Sequence, residues 1–125
     1  MPGSPDAMTI SLKAAADLSA KQYHAVKITA AHTVNVVTAA TDKGFILLNK
    51  PAAANEAAML CIGGRSKVKI GGTVSAGDLL GPDTDAMLIA VTADESQIIA
   101  IALEAGVDGD IIDAIVFPIS QIATA

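Results

Sequence analysis

Short apolar segments separated by turn-forming residues recur along the whole of this chain. The segments are Gln22–Ile28, Thr33–Val37, Phe45–Leu48, Ala58–Ile62, Ser66–Ile70, Met87–Val91, Gln97–Leu103 and Asp110–Phe117. Their high content of valine and isoleucine favours strands. Strands repeated at roughly 8–12 residues are typical of small barrels and sandwiches. The sequence therefore predicts an all-β fold, a small single-domain β-barrel or β-sandwich-like structure.

One dipeptide and one repeat bear on how these strands connect. Gly63-Gly64 is a common pair in tight turns and predicts a hairpin between the two strands that flank it. The chain also repeats itself: Gly44–Ile62 aligns with Ile98–Val116 at an offset of 54 residues, and Leu18–Gln22 aligns with Val74–Asp78 at an offset of 56. The repeat predicts two similar β units.

The N-terminal segment has a different composition. Met1–Ala7 contains two prolines, a glycine and a serine, which disfavour regular structure. It is either a native flexible arm or a cloning remnant that precedes a second start at Met8. Thr9–Lys13 alternates weakly and predicts a short strand or an extended arm. We therefore expect residues 1–13 to form a flexible or extended arm and residues 14–125 to form a β-rich domain.

The distribution of charge and aromatic residues excludes several function classes. All eight bases lie between Lys13 and Lys69, whereas the last 55 residues carry nine acids and no base. A net charge of −5 argues against a general nucleic-acid binder, and three aromatics are too few for base stacking. No apolar run reaches the length of a membrane helix. We expect neither nucleic acid nor membrane as a partner.

No catalytic, metal-binding or cofactor-binding constellation is evident. His24, His32 and Cys61 are the only imidazoles and thiol, and their spacing matches neither a nucleophile–base pair nor a zinc site. Asp108-Gly109-Asp110 lacks the remaining ligands of a calcium loop and is interpreted as a solvated turn. The sequence therefore predicts a protein that is not an enzyme and uses no cofactor or metal.

Two features instead suggest contacts with other proteins. Alanine, isoleucine, valine and leucine occupy 57 positions, more apolar content than a small alanine-rich core needs, so part of it is expected to be buried against another subunit. Arg65, Lys67 and Lys69 alternate along one strand and share a face. This basic stripe is either a solvated surface or a contact with the acidic half of a neighbouring copy.

Several phrases of the sequence resemble a known family when they are read in order. They are Gly44–Ala53, Ala57–Gly64, Ser66–Lys69, Gly72–Leu80 and Ile101–Ala105. Together they resemble the capsid cement, or head decoration, proteins of tailed bacteriophages and prophages over roughly Leu12–Val116. Their most specific part is Ser75–Leu80 followed by Ile101–Ala105.

This resemblance implies a structural protein that binds the outer surface of the expanded capsid and stabilises it, as trimers at three-fold and quasi-three-fold positions. Its partners would be the major capsid protein and its own copies, in a homotrimer. It would be made in the host cytoplasm and reside on the virion. An N-terminal arm of such proteins often touches the capsid protein, and the candidate arm residues here are Met8, Thr9, Ile10, Ser11, Leu12 and Lys13.

Two alternatives remain open at this stage. One is a carbohydrate-binding or host-surface-binding β module displayed on a particle, although Tyr23, Phe45 and Phe117 are few for sugar stacking. The other is a small esterase or acyl carrier, which a paired serine and histidine in a pocket would favour.

Overall fold

The computed structural model describes residues 7–91 and 97–122, with the backbone alone for 118–122. Every regular element in these ranges is a strand, which confirms the all-β prediction. The strands are β1 (Ala7–Ala14), β2 (Ala25–Ala30), β3 (Thr33–Val36), β4 (Phe45–Leu47), β5 (Ala57–Lys69), β6 (Leu79–Pro82), β7 (Leu88–Ala90), β8 (Gln97–Ala102) and β9 (Ile111–Ile122).

The strand pairings close into two small barrels that share one strand. The pairing order β1-β3-β2-β4-β5 returns to β1, because β1 and β5 also pair along their length. The order then continues as β5-β9-β8-β6-β7. An isolated parallel bridge between Ile70 and Leu88 brings β7 back to the end of β5. We call these closed sets of strands the first and second barrels; the 13-residue strand β5 belongs to both.

The two barrels repeat each other pair for pair, which confirms the two similar β units predicted from the sequence, although the predicted offset of 54 holds for β5 and is one residue short for β4. Residues of β2, β3 and the first part of β5 correspond to positions 54 further on, those of β4 to positions 55 further on, and those of β1 to positions 56 further on. Matching register pairs are Val26↔Val36 with Leu80↔Ala90, Val26↔Phe45 with Leu80↔Ala100, Leu47↔Leu60 with Ala102↔Ala114, and Leu12↔Ala58 with Val68↔Ile112.

The backbone turns repeat as closely as the strands. Tyr23, His32 and Asn55 have positive φ values of 67, 55 and 71°. Gly77, Ala86 and Gly109, each 54 residues further on, also have positive φ values, of 90, 66 and 91°. Because a left-handed backbone is costly for non-glycine residues, its retention in both barrels shows that the loop geometry is fixed by the fold.

The hairpin predicted at Gly63-Gly64 is wrong, because β5 runs straight through it. Gly64 pairs with β1 on one edge and with β9 on the other. The register against β1 skips Ile62, which marks a β-bulge, and Gly64 has φ 95°. Gly64 takes a left-handed backbone inside a paired strand, close to the bulge, and glycine permits this as readily as it permits a tight turn, so the dipeptide alone did not distinguish the two.

Each barrel has its own core, but the second core extends beyond its barrel. The first core consists of Ala14, Leu18, Val26, Val34, Leu47, Ala58 and Leu60. The second contains Val68, Ile70, Leu80, Leu88, Ile99, Val116 and their neighbours, together with Ala25, Val37, Ile46 and Cys61 of the first barrel. The outer surface of the first barrel is thus buried against the interior of the second.

Candidate interaction surfaces

The expected arm residues lie in a strand of the sheet. Met8–Lys13 belong to β1, which runs antiparallel to β5 of the same chain from Ala7↔Gly64 to Lys13↔Ala57. On the other edge of β1, Lys13 and Ala14 pair with β3. Residues 7–12 have no second strand partner within the described ranges. The first six residues of the expected arm lie outside these ranges.

The side chains of β1 become more exposed towards the start of the strand. Ala14 is fully buried and Leu12 is half-buried, whereas Ile10 and Met8 are 39% and 54% exposed. Thr9, Ser11 and Lys13 point to the surface. β1 therefore presents both a backbone edge and apolar side chains.

The basic stripe lies on the outer face of β5 and meets an acid of the same chain. Arg65, Lys67 and Lys69 pair in register with Ile115, Asp113 and Ile111 of β9. Asp113 Oδ2 lies 3.8 Å from Arg65 Nη2, and its Oδ1 lies 3.5 Å from Lys67 Nζ. Both cationic side chains are well exposed, so solvent screens these ion pairs and each contributes little to stability. The stripe remains accessible to a further partner.

An exposed apolar row crosses the second barrel beside this stripe. Leu79 of β6 pairs with Ile101 of β8, and Ile101 pairs with Ile115 of β9. Leu79 is 44% and Ile115 40% exposed, and Ile101 is half-buried. We call these three residues the outer face of the second barrel. Leu103 and Ile111 extend its exposed apolar surface.

Sequence reasoning did not identify this outer face. The signal was present in Ile111–Phe117, where apolar residues occupy both alternating sets of positions. Such a strand has apolar side chains on both faces. The pattern was interpreted as a general apolar excess, because no single sequence segment shows which face the barrel leaves uncovered.

The two histidines and the cysteine considered for catalysis differ in burial and make separate contacts. Cys61 is fully buried, its thiol donates to the carbonyl of Gly63 at 3.4 Å, and burial raises its pKa. His24 is buried with Nδ1 3.1 Å from the carbonyl oxygen of Gln22, and burial, helped by nearby lysines, lowers its pKa. His32 is exposed in the turn between β2 and β3.

Among the described residues no group of three or more histidine, cysteine or carboxylate side chains is placed to hold a metal ion. Gly109 and Asp110 form the expected turn, in which Asp110 Oδ2 accepts a hydrogen bond from the amide of Val107 at 2.9 Å. No helix in the described part of the chain is long and apolar enough to span a bilayer.

Comparisons with known proteins identify a fold relative but no sequence family. No family model and no curated protein sequence matches the chain. Among solved structures it is similar to the N base of the head fiber protein gp8.5 of bacteriophage phi29, with a TM-score of 0.66 and 11% sequence identity. The similarity covers 91% of this chain and 97% of that one, so the two share a fold over nearly their whole lengths.

Proposed function

We propose that this protein is a structural component of a tailed-phage head that binds the outer surface of the expanded capsid and stabilises it. The observation that carries the proposal is the fold, which matches the base of a phage head fiber over nearly its entire length. The resemblance of Gly72–Leu80 and Ile101–Ala105 to head decoration proteins supports the same assignment independently of the fold. The protein would act as a trimer at three-fold and quasi-three-fold positions.

A non-enzymatic role is part of the proposal. The one thiol of the chain is buried and its raised pKa keeps it protonated, whereas a nucleophilic cysteine needs an accessible thiolate. His24 is also buried, and its hydrogen bond joins it to a backbone carbonyl. The exposed surfaces are apolar rows and a basic stripe, which suit binding to other proteins.

The major capsid protein is the proposed partner of β1. The edge of residues 7–12 that faces away from β5 has backbone donors and acceptors free of other described strands. An extended capsid segment could add to this edge and form main-chain hydrogen bonds, while the exposed side chain of Met8 would give an apolar contact. The assembled location would be the outer surface of the virion after synthesis in the host cytoplasm.

Stabilisation of the capsid follows from linkage. A protein that binds the expanded lattice but not its dissociated subunits raises the lattice stability by about 2.7 kcal/mol per site when its free concentration is a hundred times Kd. Many copies on one shell add their effects. No chemical step is required of the protein.

Co-sedimentation with capsids tests the proposal. Expanded and unexpanded capsids of the source phage, both lacking this protein, are incubated with the purified chain and pelleted. We expect binding to the expanded form and a higher melting temperature of the bound shells. Failure to bind expanded capsids would overturn the proposal.

The basic stripe allows a sharper version of the same assay. Reversal of Arg65, Lys67 and Lys69 to glutamate is expected to weaken association with copies or capsid more at low salt than at high salt, because salt screens exposed charges. Equal effects at both salt concentrations would reduce the stripe to a solvated surface. Lys50→Glu, an exposed lysine in the loop between β4 and β5, is the control.

A further inference from the structure

We infer that copies of this protein associate head to tail, with the outer face of the second barrel of one copy docked on the first barrel of the next. This contact between two chains would be equivalent to the contact that the two barrels make within one chain. The inference deepens the proposed function by naming the surfaces through which copies meet. Its test uses the isolated protein, so its outcome is separable from capsid binding.

The starting point is the contact inside the chain. Ala25, Ile46 and Cys61 lie on the outer side of the first barrel and are fully buried in the second core. Backbone hydrogen bonds accompany this packing: the amide of Ala25 donates to the carbonyl of Ala86 at 2.7 Å. The first barrel therefore has an outer face that is covered by the second barrel.

The corresponding face of the second barrel has no cover within the described chain. Ala25, Ile46 and Cys61 correspond to Leu79, Ile101 and Ile115 through the repeat, and the two sets have the same cross-strand register. The residues of the second set are larger or as large, yet two of them are 44% and 40% exposed. An apolar row on a sheet surface is typical of an interaction site.

The complementary surface is present on the first barrel. Within the chain, Ser66, Pro82 and Ala86 of the second barrel are buried. Two of them meet the covered face: the carbonyl of Ala86 accepts from the amide of Ala25, and the hydroxyl of Ser66 hydrogen-bonds with the thiol of Cys61. The equivalents of all three in the first barrel are exposed. They are Ile10, Ile28 and His32, and Ile28 is 58% exposed.

Each chain thus leaves two surfaces exposed, and each is equivalent through the repeat to one side of the contact between its own two barrels. The second barrel offers the face that needs a cover, and the first barrel offers the positions that form one. A second copy of this chain is therefore the occupant that matches both surfaces.

The repeat favours this arrangement over a two-fold one. A two-fold contact between second barrels would place one outer face against another, which has no counterpart within the chain, whereas head-to-tail docking repeats the internal contact. Arg65 pairs in register with Ile115 and so lies beside the outer face. A two-fold contact would therefore also bring two basic stripes together, and like charges that oppose each other disfavour such a contact.

A head-to-tail contact has a geometric consequence. Contacts of this kind form a closed ring when the rotation per copy divides a full turn, and a filament when it does not. A rotation of a third of a turn gives the proposed trimer, in which every copy uses both of its surfaces.

Two point variants and their mixture test the inference. Leu79→Glu places a charge on the outer face of the second barrel, and Ile28→Glu places one on the opposing surface of the first barrel. We expect the wild type to sediment as an oligomer at tens of micromolar, and each variant to raise the dissociation constant at least tenfold. Val107→Glu, an exposed valine in the loop between β8 and β9, is the matched control and should associate like the wild type.

The mixture distinguishes head-to-tail docking from other contacts. Each variant keeps the surface that the other has lost, so an equimolar mixture should form a heterodimer at concentrations where neither variant associates alone. Far-UV circular dichroism checks folding, and Ile115→Thr, which keeps a β-branched side chain, replaces Leu79→Glu if that variant does not fold. A monomeric wild type, an unaffected Leu79→Glu or Ile115→Thr variant, or a mixture that stays monomeric would overturn the inference.

Discussion

Substitution of Gly81 by alanine tests how tightly the second barrel is packed. A Cβ atom at this position would collide with the carbonyl oxygen of Gln97 and lie 3.0 Å from Val91 Cγ2. The oxygen is backbone and cannot move by a change of rotamer. Gly72→Ala is the matched control, because its Cβ would meet its nearest neighbour, Ile89 Cγ2, at 3.7 Å, an ordinary van der Waals contact.

The expected cost of Gly81→Ala follows from what must shift. Strand β6 is held to β8 through Leu79↔Ile101 and Leu80↔Ala100, so relieving the collision separates two paired strands. Overpacking of this kind costs about 1–3 kcal/mol, and one weakened ladder hydrogen bond costs about a further 1 kcal/mol. We expect a loss of about 2–4 kcal/mol in the free energy of unfolding.

The control should move in the opposite direction or not at all. Replacing glycine by alanine where space and backbone allow it stabilises by about 0.4–1 kcal/mol, because the unfolded chain loses freedom. Urea unfolding followed by far-UV circular dichroism measures both variants, since the chain has no tryptophan and one tyrosine. If Gly81→Ala unfolds at the same urea concentration as Gly72→Ala, the steric reasoning is refuted.

Three further outcomes are expected. Stability should fall as the pH drops below about 6.5, because the lowered pKa of buried His24 makes the unfolded chain take up the proton more readily than the folded one. Urea titrations should show a weaker pH dependence for His24→Asn, and an unchanged pH dependence would contradict this reasoning. The thiol of Cys61 should resist iodoacetamide in the folded protein and react in urea, and rapid labelling of the folded chain would contradict its burial. Deletion of residues 1–13 should lower the melting temperature, since it removes the strand that pairs with the first half of β5, and an unchanged melting curve would show that β1 adds nothing to the fold.

Period-two patterns and turn residues were enough to predict much of this fold. Alternation and β-branched content are local properties, so they located several strands well. Two predicted segments, Phe45–Leu48 and Gln97–Leu103, are only one residue longer than the strands observed. The strand predicted from Gln22 begins three residues later, at Ala25, since Tyr23 takes a left-handed backbone that ends any strand pairing there. Strand β6 was not predicted, because its Gly81-Pro82 is typical of a turn.

The candidate surfaces were predictable to different degrees. Alternation placed Arg65 and Lys67 correctly on one exposed face, but their shared contact with Asp113 depends on which strand pairs with β5, and that information is not local. The outer face that contains Leu79 and Ile115 was missed for the same reason. Leu79 and Ile115 are exposed because no further barrel within the described residues covers the second one, whereas the second barrel covers the equivalent face of the first.

The shared strand β5 means that neither barrel could be excised as an independent piece. A cut between Ile62 and Gly63 would leave the first barrel with a frayed last strand and deprive the second of its first strand. Unfolding of either barrel disrupts β5, which the other barrel also needs, so loss of structure should spread through the whole molecule in a single step. A protein built from two repeats in this way should unfold as one cooperative unit, with no stable half-folded form.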